Sequence, residues 1–389
     1  MMRSSQRIAN VQLPVVPHVG ELVRSTPGAI SLAQGVVGYG PPREALDAVA
    51  AFGETVHDHH YGPDEGLPDL IEVIRHKLRT ENGIPLDGRA IMVTAGGNMA
   101  FLTAVLAITD PEDEIILPLP YYFNHDMAIA IAGCRTVPVS TSAAYQPLPE
   151  LIRAAMTPRT RAVVTISPNN PTGAVYPRAT LCAINQLCRD AGVYHIHDEV
   201  YEYFTYDGVA HYSPAADPAS QPHTIALYSM SKAYGLASWR VGWMVVPEAL
   251  YAPVTKVQDT NVICPPSISQ RAACAALEVG RSYCDARVAA LGDLRHRALD
   301  AFAEMQDVCT VPPVSGAFYL LLRIHGTVDP LLLVERLIRE HGVALLPGSA
   351  FGLTDGCYLR LSYGAVPADR LGEGLERLAR GLRAILRGT

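Results

Sequence analysis

Lysine is nearly absent from this 389-residue chain: Lys77, Lys232 and Lys256 are the only three. Basic residues number 31 against 38 acidic ones, for a formal net charge of −7, which leaves no positive field for a nucleic-acid backbone. The one dense basic cluster, Arg377, Arg380, Arg383 and Arg387, follows helical spacing and reads as a solvated helix face. No uninterrupted apolar run of about 18 residues occurs, so a membrane-spanning helix is not expected. Residues 1–17 lack the continuous apolar stretch of a secretory signal, and the chain reads as cytoplasmic. Cys134, Cys182, Cys188, Cys264, Cys274, Cys284, Cys309 and Cys357 include no Cys-x-x-Cys pair; they read as reduced, mostly buried thiols. His57-Asp58-His59-His60 and His195-x-His197 lack further ligands at metal-site spacing, so no metal is expected. Gly96-Gly97 lacks the Gly-x-Gly-x-x-Gly frame and acidic ribose partner of a dinucleotide site, and no nucleophile elbow or Ser-His-Asp order is visible.

What is present describes a globular enzyme, with 49% hydrophobic and 18% charged residues and a length that suggests two packed domains. From about residue 90, short runs rich in Val and Ile alternate with helical stretches, the pattern of βα units on a largely parallel sheet. Strands are predicted at 91–94, 114–117, 161–167, 193–197, 224–228 and 241–246, each closing in a polar or Gly/Pro turn. Ligands of such sheets gather at the carboxyl ends of the strands. After Pro266 the pattern turns to helices at 270–278 and 281–303. A smaller α+β domain follows, with strands at 316–323, 343–346 and 357–362 and helices at 331–341 and about 368–386. The expected division is an N-terminal segment (1–45) joining the small domain, a large domain (46–285) and a small C-terminal domain (286–389), with the boundary inside a helix or a short turn.

The stretch from Ser229 to Gly242 is the most informative. Lys232 lies just past the buried run 224–228, where loss of solvent lowers its pKa, as an imine-forming amine requires. Lys77 and Lys256 fall on expected surface helices, which leaves Lys232 as the Schiff-base candidate. The hydroxyls of Ser229 and Ser231 and the guanidinium fork of Arg240 suit a phosphate. Upstream, Thr94-Ala95-Gly96-Gly97-Asn98 follows a strand and opens a helix, so the backbone at Gly97 and Asn98 favours a bound dianion.

This combination resembles the class I/II aminotransferases of fold type I over nearly the whole chain. Ser31-Leu32-Ala33-Gln34-Gly35, Tyr61-Gly62-Pro63-Asp64-Glu65-Gly66 and His197-Asp198-Glu199-Val200-Tyr201 match family stretches in order. Ser167-Pro168-Asn169-Asn170-Pro171-Thr172-Gly173 matches another, with Ser167 in place of an asparagine. The resemblance implies an α/β fold with a mostly parallel, seven-stranded-type sheet flanked by helices plus a smaller α+β domain. It also implies pyridoxal 5'-phosphate (PLP) as cofactor, held as an imine on Lys232.

By the same resemblance, Asp198 pairs with the pyridine nitrogen and keeps the ring an electron sink, while Asn170 and Tyr201 hydrogen-bond its phenolic oxygen. Tyr122 stacks on the ring, and the Asn170–Pro171 bond is cis. Tyr61 reaches the phosphate of a neighbouring subunit's cofactor, making a homodimer with shared sites. Arg360, opposite in facing to Leu359 and Leu361, binds the substrate carboxylate together with Asn170 and the backbone of Gly35. His125, three residues after Tyr122, is placed in the substrate pocket, and Tyr39 near the substrate side chain. Lys232, Asp198 and Tyr201 form the expected catalytic set. The implied reaction moves an amino group between an L-amino acid and a 2-oxo acid by ping-pong turnover.

A C–S β-lyase, a decarboxylase or a cyclase would use the same cofactor shell, because the bond broken depends on pocket geometry. A non-catalytic regulator is disfavoured, since the match beginning at Ser31 leaves too little chain for a preceding DNA-binding module. Tyr39, Tyr121, Tyr122 and His125 suggest a neutral or aromatic substrate, and no second arginine is placed for a dicarboxylate.

Overall fold

The structure, a computed structural model, describes residues 4–387; positions 1–3 and 388–389 of the expected terminal segments lie outside the described residues. In chain order the strands are β1 (Ile30–Ser31), β2 (Arg89–Thr94), β3 (Glu114–Pro118), β4 (Arg135–Val139), β5 (Thr160–Ile166), β6 (Tyr194–Asp198) and β7 (Thr224–Ser229). They continue with β8 (Gly242–Pro247), β9 (Cys309–Thr310), β10 (Tyr319–Ile324), β11 (Val343–Ala344), β12 (Leu346–Pro347) and β13 (Cys357–Ser362).

A seven-stranded sheet runs in the order β2-β8-β7-β6-β5-β3-β4. Only β8 is antiparallel to its neighbours; the other pairings are parallel. Alternate side chains of one strand enter different cores. Ile91 and Val93 pack on one face of the sheet, Ala90 and Met92 on the other. Burial on both faces is why these strands read as nearly continuous apolar runs. All six predicted strands of this region lie in the sheet. β4 is not among the strands expected from sequence: it is an edge strand with an exposed Arg135 and a proline at Pro138, and an edge needs neither a continuous apolar run nor every N–H.

The smaller sheet runs β12-β13-β10-β9, and β1 pairs in parallel with β11. The strand predicted at 343–346 is therefore two: Val343–Ala344 pairs with Ile30–Ser31, and Leu346–Pro347 turns to meet β13. Helix Pro330–His341 covers this sheet, opened by the Asp329 side chain accepting the Leu332 amide at 2.8 Å. The long helix Arg281–Ala303 begins just before the expected boundary. In the last helix, Ala368–Arg387, Arg380 and Arg387 are exposed, but Arg377 donates to the carbonyls of Gly28 and Gly342 and Arg383 clamps Asp307. That helix face is thus partly a set of tethers rather than simply solvated. No helix among the described residues is long and apolar enough to cross a membrane, and all eight cysteines are free, five of them buried.

Candidate active site

The carboxyl ends of β2, β7, β6 and β5 open onto one cavity of about 310 Å³. Asp198 ends β6, Ser229 ends β7, and Asn170 follows β5 by four residues. Gly97 opens the helix Gly97–Ile108 directly after β2. These residues line the cavity together with Asn98, Tyr122, Tyr201, Ser231, Lys232 and Arg240, so every cofactor-contact residue named from sequence is in one place except Tyr61. The Ser167–Pro168 and Asn170–Pro171 bonds are both cis.

One end of the cavity is built for an anion. Gly96 caps the helix at φ +83°, a left-handed conformation suited to glycine, and a Cβ there would lie 2.5 Å from Arg240 Nη2. The amides of Met99 and Ala100 turn back to the Gly96 carbonyl, while those of Gly97 and Asn98 have no acceptor among the described residues. Ser229 Oγ donates to Ser231 Oγ at 2.9 Å, and exposed Arg240 bends over the Ala237 carbonyl at 2.8 Å. Free helix-start amides, hydroxyls and a guanidinium form a phosphate cradle.

At the other end, Lys232 Nζ donates to the Gly35 carbonyl at 2.7 Å. Burial lowers its pKa to about 8, helped by the Arg360 and Arg240 charges and opposed by Asp198. Asp198 accepts the Val200 amide at 3.1 Å, and its other oxygen meets His125 Nε2 at 3.1 Å. Arg360, 2% exposed, donates to Asn170 Oδ1 at 3.0 Å and to the Ala33 carbonyl. Its Nε is buried with no partner, and the Asn170 amide NH2 has no acceptor among the described residues. Groups left in this state suit ligands that bring acceptor oxygens. Burial also pushes the Tyr122 and Tyr201 hydroxyls upward, so both stay protonated donors near neutral pH.

Three expectations change. His125 does not line a substrate pocket: it is buried behind Asp198, with its ring stacked on Phe101 at 4.1 Å. Tyr39 spends its hydroxyl on the Lys232 and Ala233 carbonyls at 3.1 and 3.3 Å, so it props the lysine turn instead of facing a substrate side chain. Lys77 is no surface lysine. It is 4% exposed, bound to Glu202 at 2.9 Å and Asn82 at 2.7 Å.

Tyr61 is 81% exposed and touches nothing in the cavity. His195 and His197 share Thr165 Oγ1 at 2.8 and 2.6 Å, and burial drives the first down to about 3. Glu199, Glu202 and His211 do cluster, but the Lys77 ammonium already meets Glu202. The sequence reading missed two residues. Tyr319 joins its hydroxyl to that of Tyr201 at 2.7 Å and lies under the Arg360 guanidinium at 4.6 Å; Phe351 lies on a further side of that guanidinium at 5.2 Å. Strand register was the available signal, because Leu321 pairs with Arg360, placing Tyr319 on the same face.

The sequence profile of the family "Aminotransferase class I and II" matches residues 27–378. The chain belongs to this family. The aminotransferase is 35% identical to an aromatic aminotransferase, ISS1, of Arabidopsis thaliana over 98% of this chain and 97% of that one. It is 34% identical to an aspartate/prephenate aminotransferase of Thermus thermophilus over 92% of each. Among solved structures, a Thermus thermophilus aspartate aminotransferase single mutant matches with a TM-score of 0.89 and 32% identity, covering 98% of this chain and all of that one. An aromatic aminotransferase from Pyrococcus horikoshii matches with a TM-score of 0.86 and 31% identity, covering 94% and 99%. The aminotransferase therefore has the fold type I architecture, depends on pyridoxal phosphate and transfers amino groups between amino acids and 2-oxo acids.

Proposed function

We propose that the 310 Å³ cavity is where this aminotransferase holds pyridoxal phosphate and exchanges an L-amino acid with a neutral or aromatic side chain for a 2-oxo acid, by ping-pong turnover. The observation that carries this reading is the sheltered amine of Lys232, lowered to about 8, facing a cavity whose far end is a phosphate cradle. Bound pyridoxal phosphate supplies an aldehyde that captures amines and a ring that withdraws electrons from the substrate's α-carbon. The chain does the rest. Gly97, Asn98, Ser229, Ser231 and Arg240 take the phosphate, Asp198 holds the ring nitrogen's proton, and His125 positions Asp198. Asn170 and Tyr201 direct their hydrogens at the ring oxygen, and Tyr122 covers the ring. Arg360 fixes the substrate carboxylate with Asn170 and the Gly35 backbone, bringing the α-hydrogen to the Lys232 amine, which takes the proton and returns it.

The preference for a neutral or aromatic side chain rests on the absence, among the described residues of the cavity, of any cation beyond Lys232, Arg240 and the adjoining Arg360. The aromatic aminotransferase among the relatives agrees with it. We further infer a cytoplasmic homodimer serving amino-acid biosynthesis. The free thiols favour a reducing compartment, and the exposure of the Tyr61 ring supports a role for it in a partner's site. We also propose that the chain divides near residue 285 into its large and small domains.

A half-reaction screen tests the proposal. Loss of the cofactor's visible absorbance should be fastest with L-phenylalanine or L-tyrosine, and slower with L-aspartate, with one keto acid formed per amino group accepted. Release of ammonia in place of keto acid would point to lyase chemistry. Lys232→Ala protein should retain no borohydride-fixed chromophore.

A further inference from the structure

A second cavity, of about 460 Å³, opens between the small sheet and the outer part of the large one. Strand register builds its floor. Arg323 on β10 stands between Tyr358 of β13 and Thr310 of β9, so these three side chains share one face. Arg360, two residues beyond Tyr358, points from the same face, which puts this cavity one side-chain step along the strand from the active site. Phe351, adjacent in the chain to Gly352 of the cavity lining, has its ring 5.2 Å from the Arg360 guanidinium and 5.5 Å from Phe123.

The opposite wall is the loop after β4. Thr141 bridges to Pro147, and Ser142 Oγ accepts the Gln146 amide at 3.1 Å. The turn holds Tyr145 at φ +56°, a region an aromatic residue adopts only where its surroundings enforce it, as they do at ligand clamps. Leu119 and Pro120 complete this wall; Thr141 Oγ1 donates to the Leu119 carbonyl at 2.6 Å. That segment leads directly into Tyr121 and Tyr122.

Two opposite charges stand exposed at this cavity without a protein ion-pair partner among the described residues. Arg323 has no acceptor, and Asp355 no cationic partner, among the described residues. A free guanidinium fork suits a carboxylate, a free carboxylate suits an ammonium, and the rings of Tyr145 and Tyr358 suit an apolar side chain between them. These are the parts of one ligand class. We propose that the cavity binds a free α-amino acid with an aromatic or large apolar side chain, distinct from the molecule being turned over, and that this occupant is an effector. It would touch both the segment leading to Tyr122 and the strand carrying Arg360, and so couple its own binding to the spacing of cofactor and substrate contacts.

The test uses holoenzyme whose lysine–cofactor linkage has been reduced with borohydride, so that the active site no longer exchanges amines. Titration calorimetry with L-phenylalanine should then show one site per chain. Arg323→Gln and Asp355→Asn should each weaken it about tenfold or more, while Arg360→Ala leaves it intact. Both surface replacements should keep the wild-type Tm and the unreduced enzyme's initial rate at low amino-acid concentration. 3-Phenylpropionate, which lacks the ammonium, should bind more weakly to the reduced wild type and equally to the reduced Asp355→Asn protein. The proposal is overturned if reduced holoenzyme takes up no phenylalanine at millimolar concentration. It is equally overturned if binding survives both replacements, or if it disappears with Arg360→Ala.

Discussion

Lys232 owes its low proton affinity to burial first and to two neighbouring guanidiniums second, and the sign of that shift makes a kinetic prediction. Below about pH 8 the amine is mostly protonated and cannot attack an aldehyde. Cofactor capture by the apoprotein should therefore quicken about tenfold per pH unit up to that point and then level off, as stopped-flow absorbance would show. Arg360→Met removes one repelling charge, so the midpoint should move upward. In the same variant kcat/KM should fall roughly a hundredfold or more, because the carboxylate loses a two-pronged charged contact. Tyr319→Phe removes one hydroxyl partner of Tyr201 and should cost about threefold to tenfold in kcat/KM. Lys232, Asp198 and Asn170 were legible because each lies in a contiguous run at a strand end. Tyr319 was not, since antiparallel pairing brings it to Tyr201 across 118 residues. His125 was misread because spacing from Tyr122 does not show which way the helix turns it.

At the scale of elements, helix Pro68–Thr80 shows how polar neighbours conceal a buried charge. Arg75, His76 and Arg79 made Lys77 look solvent-facing, yet Lys77 follows Leu70 and Ile74 on the buried stripe, and the i, i+4, i+7 spacing was the readable clue. Its ammonium joins that helix to Glu202, just past β6 and close to Asp198. Lys77→Met should destabilise the protein by about 3 to 5 kcal/mol by leaving the carboxylate buried and unpaired, and Lys77→Met with Glu202→Leu should recover much of that loss. Thermal unfolding of the three proteins would compare them. The central strands were readable because burial on both faces imposes apolar runs. The exposed edge strand β4 and the divided segment at 343–347 carry no such imprint: the first needs little burial, and the second depends on which partner each half meets.

For the whole molecule, the exposed Tyr61 makes a prediction about subunits. If each site borrows Tyr61 from its neighbour, mixing Lys232→Ala protein with Tyr61→Ala protein creates hybrids with one intact site, carrying Lys232 from one chain and Tyr61 from the other. Activity after mixing and refolding should rise above the sum of the parents toward about a quarter of wild type, the share expected when half the dimers are hybrids with one site each. Self-contained sites would give only the sum. The βα alternation made the overall architecture readable, whereas the meeting of Ile30–Ser31 with Val343–Ala344 joins segments too distant for any local pattern to reveal.

With Lys77 locked to a carboxylate and Lys232 enclosed, Lys256 is the one lysine this molecule presents to water. An amine-reactive dye offered to the holoenzyme should therefore mark a single helix, Tyr251–Asn261, besides the chain's amino terminus. That gives a fluorescent reporter of known address without engineering a new attachment point.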